Sequence, residues 1–227
     1  MRTHHDGTAA GAAATDPTSA PSAREWWEAR YAERDGIWSG RVNAVLASVT
    51  WGLPVGRALD LGCGEGGDVV WLADQGWDVT GIDLSVTALE RGSRAAVAAG
   101  VEDRTAFVAA DLARWDTAAR FDLVTASFLQ SWPVAIPRAD ILHRAAGFVA
   151  AGGQLLVTAH AAPPHDDLPP ELLEYRFPSP VDDLAALQLD DRWDVLVAEV
   201  RPRTATTPEG DPHEVLDSVV LARLTRG

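Results

Sequence analysis

Short apolar runs alternate with longer amphipathic segments along the middle of the chain. The short runs, each of which predicts a buried strand, lie at residues 57–61, 77–83, 105–110, 121–126 and 155–159. The amphipathic segments, which predict helices, include residues 69–72, 86–99 and 138–150. Strands and helices that alternate with short links predict a parallel, doubly wound α/β sheet.

The last part of the chain has a different pattern. Two long alternating runs, 193–203 and 214–225, flank the turn sequence Thr-Pro-Glu-Gly-Asp-Pro-His, which is typical of a hairpin. The expected fold is therefore a seven-stranded, Rossmann-like sheet that is mostly parallel and ends in an antiparallel hairpin. Such a hairpin argues against a dehydrogenase, which more often continues into a second βαβ half.

The chain begins with a segment that has few large apolar residues. Residues 1–22 consist largely of Ala, Thr, Gly, Pro and Asp, and we expect them to be a disordered tail. Two helices are predicted next, at 24–34 and 41–49. Residues 23–227 are expected to form a single domain, since no linker composition interrupts them.

A cluster of glycines follows the first predicted strand. Gly62, Gly64, Gly66 and Gly67 join this strand to a helical run. A strand, a glycine turn and a helix predict a cradle for a nucleotide cofactor, because the glycines let a ligand approach the backbone. The spacing Gly62-x-Gly64-x-x-Gly67 also satisfies the dinucleotide fingerprint, so the glycines alone do not identify the cofactor.

The charges around the turn favour one cofactor over the other. Asp60, Glu65 and Asp68 place three carboxylates in or beside the turn. They would oppose the pyrophosphate of a dinucleotide, whereas they would favour the sulfonium and ammonium groups of S-adenosylmethionine. The alternative, an NAD(P)-dependent oxidoreductase that uses the same turn, stays open.

Two further acidic residues end the next predicted strands. Asp83 lies about twenty residues after the turn, where a carboxylate receives ribose hydroxyls, and Leu84 is placed to cover the adenine face. Asp111 ends the third strand, where it is placed to accept from the adenine amine with Leu112 beside the ring.

These motifs together resemble those of the class I S-adenosylmethionine-dependent methyltransferases, and most closely the small tellurite-resistance and thiopurine-type branch. The resemblance runs from about residue 24 to the C-terminus. It is carried by the segments Trp38-Ser-Gly-Arg-Val-Asn43, Ala58-Leu-Asp-Leu-Gly-Cys-Gly-Glu-Gly66, Gly81-Ile-Asp-Leu-Ser85, Ala110-Asp-Leu112, Phe121-Asp-Leu-Val-Thr-Ala-Ser-Phe128 and Gly152-Gly-Gln-Leu-Leu-Val157. It implies that residues 23–50 form a helical lid over the cofactor. The cofactor contacts expected in addition to Asp83, Leu84, Asp111 and Leu112 are Trp38, Asp60, Gly62, Cys63, Gly64 and Ser127.

The methyl acceptor is expected at the carboxyl ends of the strands. Residues 127–133 and 160–170, together with the N-terminal helices, should wall its pocket, and residues 161–180 read as an insertion over it. Methyl transfer requires mainly alignment in a dry site, but a phenol or alcohol would gain from a general base. His160, at the end of the fifth strand, is the candidate. The expected acceptor is a small molecule with an O, N or S nucleophile, in biosynthetic tailoring or detoxification.

Charge and composition exclude several other classes. A net charge of −14 argues against a nucleic-acid or anionic-membrane partner. The single cysteine, Cys63, cannot form an internal disulfide, and we expect a cytoplasmic monomer or homodimer. No metal site is expected, because His160 and His165 stand in a Pro-rich stretch without helical register. A cofactor-binding relative without catalysis also stays open.

Overall fold

A computed structural model describes residues 20–163, 170–206 and 212–226. Most of the predicted tail, residues 1–19, lies outside this range. The strands are β1 Arg57–Leu61, β2 Asp78–Asp83, β3 Thr105–Ala109, β4 Phe121–Ser127, β5 Val149–His160, β6 Trp193–Thr206 and β7 Pro212–Leu224. The helices are α1 Ala23–Ala32, α2 Ala44–Thr50, α3 Gly67–Asp74, α4 Val86–Ala99, α5 Arg138–Ala146 and α6 Pro180–Leu187.

The seven strands form one sheet in the order β3-β2-β1-β4-β5-β7-β6. The first five strands are mutually parallel, and β7 lies antiparallel between β5 and β6. The predicted mixed sheet with a C-terminal antiparallel hairpin is confirmed. The strand order reverses between β1 and β4, which places a crevice at their carboxyl ends.

The sheet separates two apolar layers, as the alternation along β1 requires. Leu59 and Leu61 face the layer that contains α5 and α6, whereas Ala58 faces the layer that contains α2 and α3. Asp60 lies between these leucines in sequence and is also buried. A carboxylate is therefore held inside the α3 side of the sheet, directly before the glycine turn.

Helix α4 agrees with its predicted bounds, and its ends explain why. The Ser85 hydroxyl accepts a hydrogen bond from Ala88 N (3.1 Å), and Gly100 ends the helix in the left-handed conformation. Helix α2 begins three residues later than predicted, because Asn43 is extended and its side chain caps Val45 N (2.8 Å).

One other prediction was wrong in part. The helix predicted over 138–150 ends at Ala146, and Val149 already pairs with Phe121 in the sheet. The apolar run after Gly147 suits a buried strand as well as a helix. Helix α6 was not predicted, and it begins at the last residue of the segment 161–180. The signal was a capping box, in which Ser179 precedes a proline and Asp182.

A buried ion pair fastens α5 and α6 to the loop after β4. Asp183 is fully buried, and both of its carboxylate oxygens accept hydrogen bonds from the Arg138 guanidinium. Arg138 Nε also donates to Leu129 O at 2.9 Å. The pair therefore connects two helices to a wall of the crevice.

Removing one partner of this pair should be strongly destabilising. We expect Asp183→Ala to lower the free energy of unfolding by about 3 kcal/mol, because a largely buried guanidinium would lose its counter-charge. Asp78→Ala is the control, because its partner Arg104 and Asp78 itself are both more than half exposed. Urea unfolding of both variants measures the difference, and equal small losses would contradict the structural role of Asp183.

Candidate active site

The carboxyl ends of four parallel strands meet at the crevice between β1 and β4. The glycine turn leaves β1 there, and it is held against β2 by hydrogen bonds from Gly62 N (2.8 Å) and Cys63 N (3.0 Å) to Ile82 O. Gly64 N donates to the Asp83 carboxylate at 2.9 Å. The turn and the predicted ribose-binding acid are therefore one unit.

Gly64 leaves no room for a side chain. Its φ is +52°, which favours glycine, and a Cβ built there would lie 2.9 Å from Tyr31 Oη. The side chain of Trp38 lies beside the same point. The turn therefore presents bare backbone directly beneath residues of the N-terminal helices.

Three carboxylates lie around the turn, with Asp60 buried and Asp68 and Asp83 partly buried. Asp60 is 2% exposed and accepts a hydrogen bond from Thr125 Oγ1 at 2.7 Å. Burial and the neighbouring charges of Asp68 and Asp83 raise the pKa of Asp60 to about 8, against the effect of Thr125. Burial also raises the pKa of Asp68, although Asn43 N donates to it at 2.7 Å. The pKa of Asp83 rises for the same reason.

No arginine pairs with Asp60, Asp68 or Asp83 among the residues that the structure describes. Like charges gathered in an apolar setting are unfavourable unless a cation reaches them. A ligand with a sulfonium and an ammonium group fits this donor set, whereas a pyrophosphate does not. The chemistry of the side chains therefore agrees with S-adenosylmethionine and opposes a dinucleotide.

This cluster makes the stability of the cofactor-free protein depend on pH. The pKa of Asp60 is about 8 in the fold and 3.8 as the ordinary value, so the folded state keeps a proton that the unfolded chain releases. The stability that Asp60 contributes is complete below about pH 4 and is lost as pH rises towards 8. We expect the melting temperature to fall between about pH 5 and pH 8.

Asp60→Asn should make this fall shallower, since an amide oxygen can still accept from Thr125 but carries no charge. Differential scanning fluorimetry across the pH range measures the slope. Asp78→Asn, at the exposed start of β2, should keep the wild-type slope. An Asp60→Asn slope equal to that of the wild type would refute the argument.

Glu65 has a different role from the one that its sequence position indicates. Its carboxylate pairs with Arg91 (2.7 Å) and accepts hydrogen bonds from Ile37 N (3.1 Å) and Trp38 N (2.9 Å). Arg91 also donates to Tyr31 O at 2.8 Å. Glu65 is therefore neutralised, and it fastens the N-terminal segment over the turn instead of adding charge to the cofactor cradle.

The aromatic face of α1 crosses the crevice. Tyr31 is buried above Gly64 and accepts a hydrogen bond from Trp38 Nε1 at 2.9 Å. Trp27 Nε1 donates to Ser131 Oγ in the loop after β4 at 3.0 Å. The helix therefore reaches from the glycine turn to the predicted acceptor wall. Sequence analysis missed Tyr31, although its spacing of four residues from Trp27 places both on one helical face.

The predicted adenine-side residues lie at adjacent strand ends. Ala110 N donates to Asp83 O at 3.0 Å, which brings Asp111 beside the end of β2. The Asp111 carboxylate also accepts from Ala113 N at 3.0 Å. The Leu112 side chain is 8% exposed and belongs to the apolar layer around α5. Leu84 O accepts a hydrogen bond from Arg24 of α1 at 3.1 Å.

Ser127 and Cys63 complete the set of predicted cofactor residues. The Ser127 hydroxyl is buried and makes no hydrogen bond of ordinary geometry with any described residue, although it lies close enough to Asp68 to lower the pKa of that carboxyl. A buried hydroxyl without a partner fits a ligand contact. Burial raises the pKa of the Cys63 thiol well above its usual range, so this cysteine is not a reactive nucleophile.

His160 ends β5 on the other side of the crevice, and several residues hold it. Its ring stacks on Phe128 with a centroid distance of 4.4 Å, and its Nδ1 lies 3.7 Å from Asp217 Oδ1. His160 N donates to Gln130 Oε1 at 2.6 Å, and Gln130 Nε2 donates to Tyr175 Oη at 3.2 Å. The predicted walls after β4 and β5 are thus connected around this histidine.

Part of the predicted wall, residues 164–169, lies outside the described residues, and so does His165. Within the described ranges there is no group of three His, Cys, Asp or Glu side chains placed to hold a metal ion. In the same ranges, no helix combines the length and the apolar character that crossing a membrane requires.

Comparison with known proteins agrees with this geometry. Residues 58–153 match the family model described as a methyltransferase domain. A probable thiol methyltransferase 2 of Arabidopsis thaliana is 36% identical over 101 residues, which are 43% of this chain and 45% of that protein. Thiocyanate methyltransferase 1 of the same plant is 34% identical over 101 residues, 43% and 44% of the two chains. The chain therefore matches less than half the length of these relatives.

Solved structures share the fold across more of the chain. One, from work on the conversion of a disulfide bond into a thioacetal group during echinomycin biosynthesis, has a TM-score of 0.64 and 23% identity, and covers 89% of this chain and 91% of that chain. TehB from Haemophilus influenzae has a TM-score of 0.61 and 17% identity, covering 81% and 63%. The glycopeptide N-methyltransferase MtfA, complexed with S-adenosylmethionine, has a TM-score of 0.56 and 18% identity, covering 82% and 88%.

Motifs, sheet order and matches agree, and the resemblance predicted from the sequence is confirmed. Residues 58–153 match the model of a methyltransferase domain, and the chain resembles the class I S-adenosylmethionine-dependent methyltransferases, near the branch that its motifs indicate.

Proposed function

We propose that this protein transfers a methyl group from S-adenosylmethionine to a small-molecule acceptor. The observation that carries the proposal is the cluster of Asp60, Asp68 and Asp83 beneath a glycine turn, in which Asp60 is buried, the other two are partly buried, and none pairs with a described arginine. The cluster lies within the segment that matches the methyltransferase family model. A cationic cofactor would supply the positive charge that balances these carboxylates.

The cofactor-binding residues fall into groups by chemistry. Asp83 would receive the ribose hydroxyls, and Asp60 and Asp68 would lie towards the cationic groups. Leu84, Asp111 and Leu112 would surround the adenine. The remaining contacts would come from Trp38, Gly62, Cys63, Gly64 and Ser127. When bound, S-adenosylmethionine supplies an electrophilic methyl group, and the carbon–sulfur bond breaks with its electron pair left on sulfur.

We propose a small acceptor with a soft or aromatic-ring nucleophile. Aromatic side chains on three sides of the crevice would hold a planar ring and exclude water, namely those of Trp27, Phe128, Tyr175 and Phe177. The names of the two plant relatives refer to sulfur nucleophiles. The charge of −14 opposes a nucleic acid, and we place the enzyme in the cytoplasm as a monomer or homodimer.

Ligand binding separates this proposal from the oxidoreductase alternative. We expect S-adenosylhomocysteine to raise the melting temperature of the purified protein, whereas NAD and NADP should leave it unchanged, since their pyrophosphate would meet the carboxylate cluster. Thermal shift assays and calorimetric titration measure both responses. A response to NADP with none to the methyl donor or its product would reverse the assignment.

Asp83 gives the sharper test of the cofactor site. We expect Asp83→Ala to weaken S-adenosylhomocysteine binding by about 2–3 kcal/mol, the scale of losing charge-assisted hydrogen bonds. Asp78→Ala is the matched control, because Asp78 starts the same strand at its far, exposed end. Calorimetry of the folded variants decides the matter, and wild-type affinity in Asp83→Ala would show that the residue only supports the turn through Gly64.

A further inference from the structure

Asp217 is a fully buried carboxylate in the middle of the C-terminal hairpin. In the sheet it stands opposite His160 of β5 on one side and opposite Arg201 of β6 on the other. Its side chain accepts hydrogen bonds from Arg203 Nε (2.6 Å) and Arg203 Nη2 (3.3 Å). The imidazole of His160 lies on its other side, with Nδ1 at 3.7 Å.

The charge of Asp217 is preserved despite its burial. Burial alone would raise the pKa of this carboxyl, but the hydrogen bonds and the charge of Arg203 and the nearby His160 side chain outweigh it, and the net effect lowers the pKa. Asp217 is therefore ionised at neutral pH. A buried anion beside Nδ1 favours the tautomer in which Nδ1 carries the proton.

The imidazole is also held in orientation. Phe128 stacks on one face of the ring, and the guanidinium of Arg203 lies 5.6 Å from the centroid of the Phe128 ring. Phe128 has φ +53°, an uncommon conformation for a bulky residue and one that marks strain at functional sites. Gln130 fixes the backbone of His160 through both its N–H and its C=O.

Resting on the proposed function, we propose that Asp217 is a positioning residue that keeps a proton on Nδ1 of His160 and leaves Nε2 as the general base. A base is needed only for an acceptor that arrives protonated. The proposal therefore favours an acceptor that carries a proton, with a phenolic hydroxyl as its test case, over an anion such as thiocyanate, which needs no base.

The proposed step balances in charge and protons. The phenolic O–H bond breaks and its proton moves to Nε2 of His160, while the oxygen forms the new bond to the methyl carbon and the bond from that carbon to sulfur breaks with its electron pair left on sulfur. The positive charge of the sulfonium is thereby transferred to the imidazolium, which Asp217 stabilises until the proton leaves to solvent. Arg203 and the Tyr175 phenol, which reaches His160 through Gln130, are the other ionisable groups packed around this ring.

The tautomer of His160 can be read directly in the full chain without cofactor or acceptor. We expect the ¹⁵N-histidine spectrum at a pH where the ring is neutral to show Nδ1–H for His160, with the signal assigned by its loss in His160→Gln. Asp217→Asn should shift the ring towards Nε2–H. A wild-type ring that is mainly Nε2–H would overturn the proposal, and this result needs no methyl transfer.

Kinetics test the acceptor class. We expect His160→Ala and Asp217→Asn each to lower kcat on 2-naphthol by about 10²-fold or more, and the double variant to lose no more than either alone. With thiocyanate each variant should stay within about threefold of the wild type. Asp194→Asn is the matched control, because Asp194 also lies in the hairpin and pairs with Arg223 at the surface (2.7 Å).

The rates on 2-naphthol and thiocyanate distinguish the possible outcomes. Equal losses on both acceptors with an unchanged tautomer would show that Asp217 only supports the hairpin, against the proposal. Wild-type turnover of thiocyanate with none of 2-naphthol would overturn the phenolic acceptor. Methylation of neither probe, together with no response to S-adenosylhomocysteine, would count against the proposed function itself, whereas the tautomer would still decide the role of Asp217.

Discussion

The crevice depends on one unfavourable arrangement, three carboxylates that lie close together where β1 and β2 end, one of them buried and two partly buried. Asp60, Asp68 and Asp83 are tolerated because Thr125 and nearby backbone N–H groups donate to them, but hydrogen bonds do not cancel charge. The other features of this half of the site are consistent with a cationic ligand that balances this charge. Bare glycine backbone lets a ligand approach the cluster, and a helix that covers the turn keeps water from screening it.

A fourth acid, Glu65, holds the N-terminal segment that contains the covering helix α1. Glu65 belongs to the same turn as the carboxylate cluster, yet Arg91 neutralises it and the backbone of Ile37 and Trp38 donates to it. Asp60 and Glu65, two acids of one short motif, therefore have different roles. Asp60 has no positively charged partner within the described residues and is available to a cationic ligand. The charge of Glu65 is balanced by Arg91, and its carboxylate holds the N-terminal segment.

Sequence periodicity predicted the sheet because each strand of the parallel part is a short apolar run ended by a turn. The same logic placed Asp83 and Asp111 together, since carboxyl ends of parallel strands share one edge. Sequence periodicity did not predict which side chains pair with one another when they are far apart in the sequence. The pairing of Glu65 with Arg91 crosses 26 positions, and that of His160 with Asp217 joins β5 to β7, with α6 and β6 between them in the sequence. The available signal for Asp217 was an acid inside an apolar strand, which rarely occurs without a partner.

The two sides of the crevice differ in how the charge of their carboxylates is compensated. This difference distinguishes carboxylates that can bind a ligand from one that positions a neighbouring side chain. Asp217 is balanced within the chain by Arg203 and directs its remaining acceptor capacity at His160. Asp60 and Asp68 have no such cation among the described residues, so in the empty site their raised pKa values favour the protonated form, and a cation from outside the chain would favour the ionised one. A carboxylate that an arginine of the chain already balances can orient a neighbour, whereas an unpaired one is available to a cationic ligand. We therefore propose that the cofactor binds on the β1–β2 side and the acceptor on the β5–β7 side.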